Sequence, residues 1–213
     1  CPWCYIGHAR LQTALAERDD LSPAVHWRPF QLQPDMPKEG RAWRAFAEEK
    51  FGGWDRAQKM FERVREAAEM EGLPVDFDAM TTAPNTEDAH RLVLWAESQS
   101  TEDREGTAGG ESPGETMAER LYRAYFAEGV NVSDREALIA QAEQAGFEAE
   151  AAQEILAVDA FAEAVVESQE QAERFNIRGV PCYVFGERYA LSGAQPPGKI
   201  HRAIDAAQGV EEG

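Results

Sequence analysis

The sequence predicts an α/β fold in which strand-forming segments lie toward the two ends and helices fill the middle. Three observations predict it. A helix pattern over 5–19 runs into an extended stretch, AVHWRPFQL, where Val25 and Trp27 alternate with His26 and Arg28 before Pro29 interrupts. From 41 to 174 the chain reads as a succession of helices. Then IRGVPCYVFGERYALSG supplies two short strand candidates, PCYVF and RYALS, joined at Gly186 and Glu187 as in a hairpin.

Each element has a local cause. The first helix carries Leu11, Ala14 and Leu15 on one face, and Pro23 follows it. Phe46, Phe51, Met60, Phe61 and Val64 set helical spacing over 41–71, broken at Gly52–Gly53. A loop with Pro74 and Pro84 leads to a helix that Asn85 or Thr86 can cap, with Glu87 and Asp88 in the first turn where the dipole favours them. TEDREGTAGGESPGE, 101–115, is polar and Gly-rich and reads as a long loop. Helical patterns resume at MAERLYRAYFAEG. They continue after Ser133, which with Glu136 spells a capping box, and again over 149–174. A closing helix over 197–207 opens on Pro197. No segment repeats. An α/β layer needs a central strand beside 25–28 and the hairpin, and no strand stands ahead of Cys1.

The chain has 213 residues, enough for one large domain or a small one carrying an insertion, and its 43% hydrophobic content supports a true core. Thirty-nine acidic against 21 basic residues give a net charge of -18, a field that repels nucleic acid and anionic membranes. No apolar run is long enough to span a bilayer. Lysine occurs only at Lys38, Lys50, Lys59 and Lys199; so acidic and Lys-poor a surface suits high salt or an ordinary acidic cytosolic protein.

Three cysteines, Cys1, Cys4 and Cys182, make no disulfide scaffold, and their odd number favours chemistry over stapling. Cys1-Pro2-Trp3-Cys4 heads the first helix. There the first thiol meets unpaired N–H groups and the positive dipole end, which favour its thiolate, while Cys4 is placed to resolve. Pro2 loses nothing in a first turn, and Trp3 offers an apolar tip to a substrate. Two alternatives stay open: half of a zinc site extended by Cys182 or His8, and a pair of inert buried thiols. Gly179-Val180-Pro181 is the second signal, because a proline before a strand, after a β-branched residue, is a place where a cis peptide can sit.

Several blocks together resemble one family. CPWCYIG, WRPFQLQP, PNTEDAHRLVLWA, LYRAYFAEGVNVSD, RGVPCYVF and LSGAQPP are similar to the DsbA family of thioredoxin-fold thiol-disulfide oxidoreductases, in its FrnE-like branch. The resemblance implies a thioredoxin-like domain from 1–39 and 166–213, interrupted by an all-helical insert over 40–165. It implies an opening strand that would precede Cys1 and that the sequence lacks. It makes Cys1 the attacking cysteine, Cys4 its partner and Pro181 the cis-proline. It implies substrate contacts by Pro2, Trp3, Val180 and Cys182, with His90 as a pocket wall. The expected partners are proteins or small molecules bearing thiols or disulfides, with no nucleic acid and no membrane. No tightly bound cofactor is expected; glutathione is the expected redox partner, and the cytoplasm the expected location. A glutathione-dependent isomerase or transferase, of the 2-hydroxychromene-2-carboxylate isomerase or kappa-class type, is the rival reading; there Ser stands in the place of Cys1. A redox-regulated binding or chaperone-like module is a third. Cys182 departs from the family, which carries an apolar or aromatic residue there; it is expected to fill the sheet core. His8, Trp95, Tyr122, Tyr125 and Phe126 read as packing residues.

Overall fold

The computed structural model describes residues 1–21, 23–99 and 112–209. Its elements are α1 (Pro2–Ala16), β1 (Arg41–Ala42), α2 (Trp43–Phe51), α3 (Trp54–Met70), β2 (Thr82–Ala83) and α4 (Glu87–Glu97). After these come α5 (Pro113–Phe126), α6 (Arg135–Gln144), α7 (Ala149–Ala157), α8 (Ala162–Arg174), β3 (Cys182–Phe185), β4 (Tyr189–Ser192) and α9 (Pro197–Gln208). None of the described helices is long and apolar enough to cross a membrane.

The hairpin forms where expected, with Cys182 opposite Ser192 and Phe185 opposite Tyr189. Gly186 and Glu187 turn the chain with positive φ, 55° and 57°. Alternation gives the two faces different fates. Tyr183, Phe185 and Leu191 pack against Leu11 and Ala14 of α1 and Ile200 and Ile204 of α9. Val184, on the other face, is 57% exposed. The extended stretch at 25–28 joins no ladder. A strand needs a backbone partner, and the described edge of β3 opposite β4 has none, so neither segment can satisfy the other's layer. The second small sheet was not expected: β1 and β2 pair antiparallel, Arg41 opposite Ala83.

The helical middle has two cores. Leu92, Met117, Leu138 and Leu156 bring α4, α5, α6 and α7 together. Tyr5, Ile6, Phe61, Phe77 and Phe126 join α1 to α3 and α5. Because α1 enters this core through Tyr5 and Ile6 and the hairpin core through Leu11 and Ala14, it is buried on nearly every side; the consecutive residues Tyr5, Ile6, Gly7 and His8 are all buried.

Three details differ from the sequence reading, each for a physical reason. Asp134, not Ser133, caps α6, its carboxylate accepting from Glu136 N and Ala137 N. Ser133 Oγ instead accepts from Asn85 N at 2.9 Å. The capping box lies at Ser112-Pro113-Gly114-Glu115, so the tail of the expected loop is the start of α5; residues 100–111 of that loop fall outside the described residues. The helix expected over 149–174 is two, parted at Phe161 with φ 62°. Arg91, only 1% exposed, fixes that break. Its guanidinium donates to the carbonyls of Ile155 and Ala160 at 2.6 and 2.7 Å, to that of Val158, and to Asp88. These carbonyls lie in the last turn of α7 and just beyond it, where no further helical turn follows to supply donors. Arg91→Met should therefore lower stability by about 3 kcal/mol, as for a buried ion pair robbed of one partner, read as a lower urea midpoint; an unchanged midpoint would mean the carbonyls find water instead.

Candidate active site

The site is assembled by α1 and the segment entering β3. Cys1 is the N-cap of α1, Pro2 is its first residue, and Cys4 N closes the first turn on Cys1 O at 3.0 Å. No acidic side chain stands in that turn to oppose the dipole. Across from it the Val180–Pro181 peptide is cis, as the sequence suggested. The Cys1 thiol donates to Val180 O at 3.6 Å, a contact between residues 179 apart in sequence. Pro181 O in turn accepts from Gly193 N at 2.7 Å, tying the loop to the far end of the hairpin.

Gly7 makes this approach possible. A Cβ there would stand 2.8 Å from Pro181 Cγ and 3.5 Å from Ala194 Cα, and it would collide with the Tyr183 hydroxyl. Only a residue without a side chain lets α1 lie so close. Arg10, one turn on, clamps the same segment: its Nη1 donates to Ala194 O at 2.7 Å while its Nε holds Glu71 at 2.6 Å.

Cys1 and Cys4 are both free thiols in this structure. Burial raises the Cys4 thiol above its ordinary value; the terminal ammonium and, less strongly, the Tyr122 hydroxyl pull the other way. A cavity of about 1280 Å³ opens beside the pair, and Cys1, Cys4, His90, Tyr122, Pro181 and Cys182 all line it. The expected site residues thus share one wall system. His90 reaches it from α4, within hydrogen-bonding distance of the Phe30 backbone, and desolvation holds its imidazole neutral, pushed down to about 4. Trp3 is not a free tip: it is half-buried against the aromatic core of α2 and α3. Cys182 is not a core filler either. It shares the face of the exposed Val184, opposite the Tyr183–Phe185 face that packs on α1, and its half-buried thiol is raised by burial. Among the described residues it does not gather with Cys1, Cys4 and His8 into a group able to hold a metal ion.

His8 packs rather than reacts. Burial lowers its imidazole to about 4, so its 3.5 Å approach to Glu115 Oε1 is made by a neutral ring, with Trp27 edge-on at 5.2 Å. Tyr122, Tyr183 and Gly7 were missed as site residues. A glycine inside an otherwise good helix was the readable signal for Gly7. Tyr122 had none, since its spacing matches the core aromatics it also joins: its ring stacks on Tyr5 at 5.6 Å.

A family model described as a DSBA-like thioredoxin domain matches residues 1–205. Among solved structures, the probable DsbA oxidoreductase of Streptomyces coelicolor is 30% identical with a TM-score of 0.83, covering 100% of this chain and 88% of that one. A 2-hydroxychromene-2-carboxylate isomerase shares the fold at 15% identity and a TM-score of 0.65, over 100% of this chain and 95% of that one. So does the cytosolic disulfide reductase DsbM of Pseudomonas aeruginosa, solved with GSH, at 19% identity and a TM-score of 0.58, over 98% and 91% of the two chains.

The seat of α1 makes a sharp expectation for one substitution. Gly7→Ala should destabilise the fold by about 1–3 kcal/mol, as overpacking does, and should slow any reaction of the Cys1 thiol, because the cis-proline loop must retreat. Thermal unfolding and the rate of thiol labelling read the two effects. An unperturbed melting temperature would mean the loop is not held against the helix.

Proposed function

In a chain that belongs to the DSBA-like thioredoxin domain family, a family of oxidoreductases and their relatives, we propose that Cys1 and Cys4 are a redox dithiol exchanging disulfides with protein or small-molecule thiols. One observation carries the reading: the Cys1 sulfur sits at an acid-free helix N-terminus and touches the carbonyl of Val180, next to cis Pro181. A nucleophilic thiol needs thiolate character and access. The helix terminus supplies the first, and the open cavity beside Cys1 supplies the second.

The reaction runs through a mixed disulfide. Cys1 thiolate attacks one sulfur of a substrate disulfide; the Cys1–substrate bond forms, and the other substrate sulfur leaves as a thiolate. Cys4 thiolate then attacks Cys1 sulfur, closing Cys1–Cys4 and releasing the second substrate thiolate. Run backward, the enzyme disulfide oxidises a dithiol. In this reading the helix dipole favours the thiolate of Cys1, the N-cap of α1, whereas burial makes the Cys4 thiol harder to ionise. Val180 and Pro181 border the bound substrate, and Trp3, His90 and Cys182 form further walls. DsbM is a cytosolic reductase solved with GSH; glutathione as redox partner and a cytoplasmic setting are part of this reading.

A second reading has one observation in its favour. The fold is shared with a 2-hydroxychromene-2-carboxylate isomerase, and a site of that type would take glutathione with an aromatic substrate. The two readings differ at Cys4, which an isomerase or transferase does not require.

Insulin-disulfide reduction under a supply of glutathione separates them. The dithiol reading expects turnover that falls to the uncatalysed rate in Cys1→Ser. It also expects a Cys1 thiol titrating well below the free value of about 8.5. A Cys1 pKa at or above that value, with saturable glutathione binding and isomerase turnover intact in Cys4→Ala, would transfer the site to the second reading.

A further inference from the structure

Cys4 and the phenols of Tyr122 and Tyr183 line one cavity beside α1. Tyr122 belongs to α5 in the helical middle, and its ring stacks at 5.6 Å on Tyr5, the residue after Cys4. Tyr183 belongs to β3, two residues past Val180–Pro181. Its hydroxyl lies against the Gly7 backbone so closely that a Cβ on Gly7 would collide with it. Gly7 is three residues after Cys4, so the two occupy one helix face, about 5–6 Å apart. Cys4 and both hydroxyls also lie close enough for each to feel the others' charge.

The hydrogen-bonding states of these tyrosines are informative. Tyr125, a neighbour on α5, spends its hydroxyl on Thr82 O at 3.1 Å. Tyr183 Oη is buried and has no hydrogen-bond partner among the described residues. Buried polar atoms are rarely left so, and an orphan in a reactive site asks what it awaits. Burial keeps both phenols protonated, raising Tyr122 and Tyr183 alike. Both are therefore donors, fixed in place by ring packing: Tyr122 against Tyr5, Trp27 and Phe126, and Tyr183 against Phe185. Fixed donors in a desolvated site act most strongly on charge that appears only during the reaction.

We propose that the hydroxyls of Tyr122 and Tyr183 form a two-donor cradle for the Cys4 thiolate, the charge created when the mixed disulfide on Cys1 is cleared. This rests on the dithiol reading given above. In that step the Cys4 thiol loses its proton to solvent, and the two hydroxyls donate to the sulfur anion. The anion attacks Cys1 sulfur; the Cys1–Cys4 bond forms as the Cys1–substrate bond breaks. The substrate sulfur leaves with the electron pair and takes a proton from water. The substrate disulfide is reduced by two electrons and the enzyme dithiol oxidised by two. The cradle answers a problem of the site: burial opposes ionisation of Cys4, in a chain of net charge -18, with no described basic side chain hydrogen-bonded to it. It also makes the resolving thiol depend on both structural halves, since one donor comes from the helical middle and the other from the hairpin.

Tyr122→Phe and Tyr183→Phe test it, because each keeps the ring and removes the hydroxyl. Stopped-flow reaction with a chromogenic aromatic disulfide separates formation of the Cys1 mixed disulfide from its clearance by Cys4. Each variant should slow clearance about tenfold, the worth of a hydrogen bond to a charged group, leave formation unchanged, and move the pH profile of clearance upward. In parallel, the Cys4 thiol is titrated by its own side-chain carbon resonance in Cys1→Ser protein, where no exchange can occur. Its pKa should rise by about one unit in either Phe variant. A Cys4 pKa unmoved in both would overturn the cradle whatever the enzyme does. A pKa that rises in protein that never forms a mixed disulfide on Cys1 would retain the cradle and reject the dithiol reading. Equal slowing of formation and clearance, with an unmoved pKa, would reduce both tyrosines to packing.

Discussion

Everything about the candidate site depends on how closely α1 lies against the loop that carries cis Pro181. The contact is set by an absence: Gly7 has no Cβ, and the space one would need holds Pro181 Cγ and the Tyr183 hydroxyl. From that seat Cys1 reaches Val180 O, Arg10 reaches Ala194 O, and Tyr183 reaches the face of Cys4. The helix is held there from its other side as well. Tyr5 and Ile6 belong to the aromatic core of the helical middle, while Leu11 and Ala14 belong to the core under the hairpin. One helix therefore registers the two parts of the chain against each other, and its N-terminus, where the thiols sit, inherits the precision of both. Movement of the helix by even part of a turn would separate all three contacts together, because interiors are close-packed and do not yield gradually.

Local and global electrostatics oppose one another. The molecule carries a net charge of -18, yet the first turn of α1 has no acid, and both histidines near the thiols are held neutral by burial, at about 4. Dipoles can favour a thiolate here: the helix terminus for Cys1 and hydroxyls for Cys4. Dipoles buried beside apolar walls are screened by salt far less than surface charges are. A candidate site built this way is compatible with a strongly acidic surface.

The sequence revealed the order of helices and the hairpin because these rest on local signals: periodicity, Gly52–Gly53, Pro197, and the Gly186–Glu187 turn. It put Cys1 and Cys4 at the start of a helix and marked Val180–Pro181 as a place for a cis bond, because both rest on short local patterns. It failed where two signals compete for one group. Ser133 and Asp134 both suit a cap, and the choice fell to Asp134 because Asn85 N claims the serine hydroxyl. The break before α8 is imposed by Arg91, a residue of a different helix, and no local pattern near Phe161 announces it. The extended stretch at 25–28 has strand composition without a ladder partner, and composition cannot supply one. Cys182 was assigned to the core from the habit of its residue type; hairpin alternation placed Tyr183 there instead. Tyr122 illustrates the deeper limit, since one side chain serves as core aromatic and as proposed donor to Cys4, and spacing reports only the first.

In the proposed reaction Cys1 is the one sulfur that meets substrate, although three thiols stand near the same cavity. Trapping is the direct measurement. Cys4→Ala protein, unable to resolve, is mixed at neutral pH with a peptide disulfide and mapped by mass spectrometry after proteolysis. A single peptide adduct on Cys1, formed in step with loss of the peptide disulfide and leaving Cys182 as a free thiol, is the predicted result. Adducts that form first on Cys182, or a Cys1 that stays unmodified while the disulfide persists, would contradict it.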